Sequence, residues 1–117
     1  MNKLNIVSKS IVKKHSKKDG LRVCVMRRIK PEYKFDMWIP KLAPSKNLLD
    51  KYIVSKSITW REFSIKFKKQ VLSKNKDLLV LLLTIAKFKP ITLLCFELDD
   101  VYCHRSLIIE ECKKLQS

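Results

Sequence analysis

Pro90 to Cys112 reads PITLLCFELDDVYCHRSLIIEEC. It opens on a short apolar run, Ile91-Thr92-Leu93-Leu94-Cys95-Phe96, bounded by Pro90 and by Glu97, Asp99 and Asp100. An uninterrupted run of that length predicts a central strand covered on both faces. After an acidic turn, Leu107, Ile108, Cys112 and Leu115 recur at helical spacing. A helix is therefore expected to open on Cys103-His104-Arg105. A strand feeding a helix leaves a crevice at the strand's C-terminal end, where open α/β sheets take their ligands. The candidate site is expected there.

Upstream, Leu4–Val12 alternates in the manner of a strand, and its lysines suit a sheet edge. Lys13 to Gly20 is a basic loop closing on the turn signal Asp19-Gly20, with His15 as a solvated residue. Leu21–Ile29 reads as a second strand with Leu21, Val23, Val25 and Arg27 on one face. Arg27 should thus emerge near its C-terminal end. The segment from Lys30 to Ser45 holds Pro31, Pro40 and Pro44 and should be irregular, with a short turn of helix at Asp36-Met37-Trp38. Ser45 is a good N-cap for a helix to about Ile53. Thr59 and Glu62 form a capping box for a helix to about Leu72. Its Trp60, Phe63, Phe67 and Val71 make an apolar stripe, read as core packing, opposite an exposed basic face of Lys66, Lys68 and Lys69. Asn75 can cap a third helix, Leu78–Lys87, apolar enough to be largely buried. Strands joined through helical segments predict a parallel pair with a right-handed crossover. The expectation is a small single-domain α/β protein spanning residues 1–117, with a short, mostly parallel sheet of about three to four strands packed with helices.

At 117 residues the chain suits one modest core. Lys and Arg number 26 against 11 Asp and Glu, a net charge of +15. That excess attracts polyanions, so nucleic acid or a nucleotide is the expected partner, although a solvated lysine surface would look the same. Gly20 is the only glycine, which excludes both the Rossmann fingerprint and the P-loop. No cofactor and no metal are expected. The longest uncharged runs fall far short of a membrane span, and lysines interrupt the N-terminal apolar residues. Cys24, Cys95, Cys103 and Cys112 contain no C-x-x-C pair. Reduced thiols and a cytoplasmic address are expected.

The order of several motifs resembles one family. Gly20-Leu21-Arg22-Val23-Cys24-Val25-Met26-Arg27 is similar to the G-Y-R-V-L-V-D-R opening of the YeaO-like family, domain of unknown function 488. Trp38-Ile39-Pro40-Lys41-Leu42-Ala43-Pro44-Ser45 resembles its W-x-K-x-L-A-P-S. Trp60-Arg61-Glu62-Phe63, with Phe67 beyond, resembles its W-x-x-F-x-x-x-Y, and Pro90–Leu94 its P-V-T-L-L strand. Cys95-x-Glu97 and Cys103-His104-Arg105-Ser106-Leu107 are similar to the family's cysteine-bearing members. The resemblance covers nearly the whole chain. It implies an α/β fold and no established activity. Met26 stands where many relatives carry a carboxylate, which raises the alternative of a non-catalytic interaction protein with a decayed site.

Three chemistries compete at the crevice. Arg27, His104 and Arg105, with free helix N–H groups, can bind a phosphate on a nucleotide or nucleic acid. Alternatively, Cys103 is the nucleophile of a thiol-dependent enzyme acting on a small substrate. The helix end and His104 would stabilise its thiolate, with Cys95 and Glu97 in support. Zinc on Cys95, Cys103 and His104 ranks third, because neighbours on a helix diverge by about 100°. His104 and Arg105 at a helix N-terminus oppose the dipole unless an anion compensates. A plain salt bridge from Arg105 to a nearby carboxylate would also satisfy that conflict. Cys24 and Cys112 are read as core.

Overall fold

The computed structural model describes residues 4–96 and 102–116. Four strands, β1 (Ile6–Ser10), β2 (Leu21–Cys24), β3 (Met37–Trp38) and β4 (Ile91–Cys95), form one parallel sheet. Their order is β1-β4-β2-β3. Helices α1 (Lys46–Ile53), α2 (Trp60–Phe67) and α3 (Lys76–Ala86) connect β3 to β4, and α4 (His104–Gln116) follows β4. This is a small α/β domain.

The apolar run does become the central strand, but it ends at Cys95 and leaves Phe96 exposed just beyond it. β4 pairs with β1 on one side and β2 on the other, and all five of its residues are buried. Its alternation separates two cores. Ile91 and Leu93 join the main one, with Phe63, Phe67, Leu79, Leu82, Leu107 and Ile108 from the helices. Leu94 packs on the other face with Ile11 and Cys24, and Met26, Tyr33 and Phe35 close over them. Helices thus cover one face of the sheet, and the segment after β2 covers the other. By parity Cys95 faces the helices. Burial of each phenylalanine ring contributes roughly 1.5–3 kcal/mol, which accounts for the stripe on α2 being core.

The helix starts obey their caps. Ser45 Oγ accepts from Leu48 N at 3.1 Å, and Thr59 and Glu62 make the reciprocal capping box. A π-helical turn, Lys68–Leu72, carries α2 to its expected end. Asn75 precedes α3, but its side chain donates to Val71 O at 2.8 Å rather than capping the helix.

Several expectations need correction. β2 ends at Cys24, not Ile29, so Arg27 and Arg28 lie in an exposed bend. β3 pairs with Val23 and Cys24, so Met37-Trp38 is a strand where a turn of helix was expected. Asp36 N donates to Arg22 O, and Ile39 N to Cys24 O. β1 is likewise shorter than Leu4–Val12. Only Leu79 and Leu82 of α3 are buried, while Val80 and Leu81 are exposed, because α3 is an outer helix covered on one side. The basic face of α2 is less free than expected, since Lys68 reaches Glu110 at 3.3 Å and only Lys69 is fully exposed. Among the described residues no helix is long and apolar enough to cross a membrane.

Candidate functional site

Sheet pairing fixes the first member of the site. The Cys95 carbonyl accepts from Ile11 N at 2.8 Å, and Ser10 Oγ donates to Phe96 O at 2.9 Å, so the end of β4 is held from the β1 side. On the β2 side, Val25 N donates to Leu94 O at 3.0 Å. That bond brings the Val25 carbonyl to the same end of the sheet.

Helix α4 supplies the rest. Its first hydrogen bonds run to the Cys103 carbonyl, from Ser106 N at 3.0 Å and Ser106 Oγ at 2.7 Å. Cys103 therefore stands immediately before the first helical residue. Its sulfur lies 2.9 Å from Cys95 Sγ, 3.7 Å from His104 Nδ1 and 3.2 Å from Arg105 Nε, which donates to it. All four residues are buried, and Arg105 completely so.

His104 is positioned twice over. Its Nε2 donates to Val25 O at 2.8 Å, because a carbonyl only accepts. That fixes the proton on Nε2 and turns Nδ1 toward the sulfur. The ring also sits edge-on to Phe67, with centroids 5.6 Å apart.

These contacts hold the Cys103 thiol well below the usual thiol range. The hydrogen bond from Cys95 is the main cause, opposed by burial and reinforced by His104 and the Arg105 backbone N–H. Burial pushes the other two cysteines the opposite way, Cys24 upward and Cys112 up to about 11. All four cysteines are free thiols.

Cys95, Cys103 and His104 bring donor atoms within 4.8 Å of one another. Those are atom types that zinc takes. The expected divergence of Cys103 and His104 does not occur, because Cys103 precedes the helix. Two zinc thiolates at about 2.3 Å from the metal stand roughly 3.8 Å apart in a tetrahedron. The two sulfurs stand 2.9 Å apart, closer than that and closer than two unbonded sulfurs ordinarily approach.

The structure thus joins Cys95, Cys103, His104 and Arg105. Arg27 is exposed in the bend after β2, away from this contact. Glu97, Asp99 and Asp100 lie outside the described residues. Sequence reasoning missed the Val25 carbonyl and Phe67 as the groups that orient His104. The apolar run continuing through Val25 was the available signal that this backbone stays beside the central strand, and nothing local marks Phe67.

Neither a curated protein nor a solved structure gives a significant match to the chain. Residues 6–115 match the family described as the Active DUF488-N3 subclade, and the chain belongs to the DUF488 family.

Proposed function

We infer that the protein is a thiol-dependent enzyme whose nucleophile is Cys103. One observation carries the reading: Cys95, His104 and Arg105 converge on a single sulfur. A thiolate is the nucleophilic form of cysteine, and donors and cations around the sulfur favour it. The N-terminal end of α4 adds to the same effect. The dipole conflict of His104 and Arg105 is met by an anion belonging to the chain itself, the Cys103 sulfur. His104, fixed through Val25, is the ion-pair partner, as in other cysteine–histidine nucleophiles. At 3% exposure Cys103 admits only small reactants.

The family's description as active agrees with this reading. Met26, at the position of the family's carboxylate, packs against Ile11, Cys24 and Leu94 on the sheet face away from the helices. Its substitution leaves the donors to Cys103 in place. The free thiols also fit a reducing compartment, so a cytoplasmic address belongs to the same reading.

Iodoacetamide labelling of the native protein, with peptide mapping across pH, tests the nucleophile. Cys103 is expected to label near pH 6 at least about tenfold faster than Cys24 or Cys112, since each unit of lowered pKa raises the thiolate fraction tenfold. A Cys103 that labels only above about pH 8.5, as an ordinary thiol does, overturns the reading.

A second reading rests on the net charge of +15 and on exposed Arg27 and Arg28: a phosphate-bearing partner, nucleotide or nucleic acid. His104 Nε2 and Arg105 Nε already serve Val25 and Cys103, so such binding would use the surface. Oligonucleotide filter binding across salt should show log affinity falling by about 0.7–0.9 per phosphate contact for each log unit of salt. No retention at low salt removes this reading.

A further inference from the structure

We propose that Cys95 and Cys103 form a reversible dithiol–disulfide couple, in which a small hydroperoxide oxidises Cys103 and Cys95 resolves the product. The inference rests on Cys103 being the reactive thiolate and adds to that reading an oxidant, a second sulfur and a way of switching the site.

Geometry selects the pair. Cys95 Sγ is already 2.9 Å from Cys103 Sγ, so a disulfide of about 2.05 Å requires the sulfurs to close by less than 1 Å. The other thiols are excluded by placement. Cys24 faces the opposite side of the sheet with Leu94. Cys112 lies about two turns further along α4, on the order of 10 Å from the helix start.

The two sulfurs are also unlike. Arg105 and His104 address Cys103, which makes it the sulfur that attacks. Cys95 ends a strand hydrogen-bonded on both sides and stays beside it. Sensor cysteines of this kind stand next to a resolving cysteine. The Arg105 guanidinium, held at the sulfur through Nε, also brings positive charge to where a bound peroxide would sit, and that charge favours breaking of the O–O bond.

The chemistry balances in two steps. The Cys103 thiolate attacks one oxygen of the hydroperoxide, forming an S–O bond and breaking O–O. The leaving alkoxide, or hydroxide from hydrogen peroxide, takes a proton from solvent. Cys103 is now a sulfenic acid, oxidised by two electrons, and the peroxide is reduced by two. The Cys95 sulfur then attacks Cys103, forming S–S and breaking S–O. The departing hydroxide takes the Cys95 thiol proton and leaves as water. A small-molecule or protein dithiol, by thiol–disulfide exchange, returns both cysteines to the reduced form. The disulfide has no thiolate, so any reaction that uses Cys103 stops until reduction.

The test uses the full chain, reduced, freed of metal with a chelator, and treated with one equivalent of hydrogen peroxide. Remaining thiols are blocked with N-ethylmaleimide before intact-mass analysis and peptide mapping. The expected product lacks a pair of hydrogens, joins the Cys95 and Cys103 peptides, and is restored by dithiothreitol. Cys95→Ser should instead accumulate a Cys103 sulfenic acid that dimedone traps, a readout requiring no catalytic assay. Circular dichroism establishes that this variant is folded. Wild-type protein alone keeps the idea falsifiable if it is not. Rapid iodoacetamide labelling of Cys103 near pH 6 without a Cys95–Cys103 disulfide overturns this inference and leaves the nucleophile standing. Absence of both overturns the two together. A disulfide to Cys24 or Cys112 also overturns it.

Discussion

His104 Nε2 donates to the Val25 carbonyl at 2.8 Å, which ties the first residue of α4 to the chain just beyond β2. The bond decides which ring nitrogen meets Cys103, so it links sheet pairing to the reactivity of a sulfur on another element. His104→Gln keeps an N–H donor but removes the imidazole nitrogen that faces the sulfur. The pH at which iodoacetamide labelling of Cys103 reaches half its full rate should rise by about one unit or more. Labelling near pH 10 should be unchanged, because the thiolate is then formed in both proteins. A loss of equal size at every pH would point to altered packing instead.

Gly20 marks the turn into β2, with φ +64°, a conformation L side chains rarely adopt. A Cβ there would also collide with the Pro90 carbonyl, the group that accepts from Leu21 N at 2.8 Å at the start of the β2–β4 pairing. Both faults act on the central strand. Gly20→Ala should cost about 2–3 kcal/mol. The midpoint of thermal unfolding should fall by about 10 °C, and calorimetry would measure it.

Asp19 and Arg22 form a buried ion pair beneath the basic loop, with Lys9 Nζ 3.0 Å from the same carboxylate oxygen. Burial raises the Asp19 carboxyl, but Lys9, the Ser16 N–H and Arg22 outweigh it and hold it below the usual value. Arg22 is 1% exposed, so Asp19→Ala should destabilise by about 3–5 kcal/mol through a buried cation stripped of its partner. Replacing both with leucine and methionine should cost much less, because no charge is then left unpaired. Urea unfolding of the two variants checks the difference.

Much of this architecture was legible in the sequence because hydrophobic pattern and caps are local. Five consecutive buried residues require a strand between two others, and Ser45 and the Thr59–Glu62 pair state their helix starts outright. The errors fell where tertiary contact overrides local preference. Val25 to Arg28 continue the alternation of a strand, yet β2 ends at Cys24 and Arg27 is exposed. The site was legible as residue types and incomplete as geometry. Parity put Cys95 on the helix side, but its contact with Cys103 depends on where α4 begins. No spacing rule shows that Phe67, 37 positions earlier, would pack against His104.

The pH dependence of stability should separate Cys103 from Cys112, because their thiols are displaced in opposite directions. Cys103 is lowered in the folded protein, so between that value and about 8.5 the unfolded chain binds more protons at this position than the native one. Stability from Cys103 is therefore fully present above about pH 8.5 and is lost as pH falls toward the folded value. Cys112 is raised to about 11 by burial and by Glu111, so between about pH 8.5 and 11 the native state binds more protons. Its contribution is present below about pH 8.5 and is lost as pH rises through 11. Urea midpoints across this range, for wild type, Cys103→Ser and Cys112→Ala, isolate each residue by difference. The wild-type advantage over Cys103→Ser should grow from acid to about pH 8.5 and then level. The advantage over Cys112→Ala should be level in acid and shrink above about pH 8.5. A Cys103 difference that does not change with pH would mean its sulfur is an ordinary protonated thiol. The three donors around it would then be packing contacts without a charge to hold.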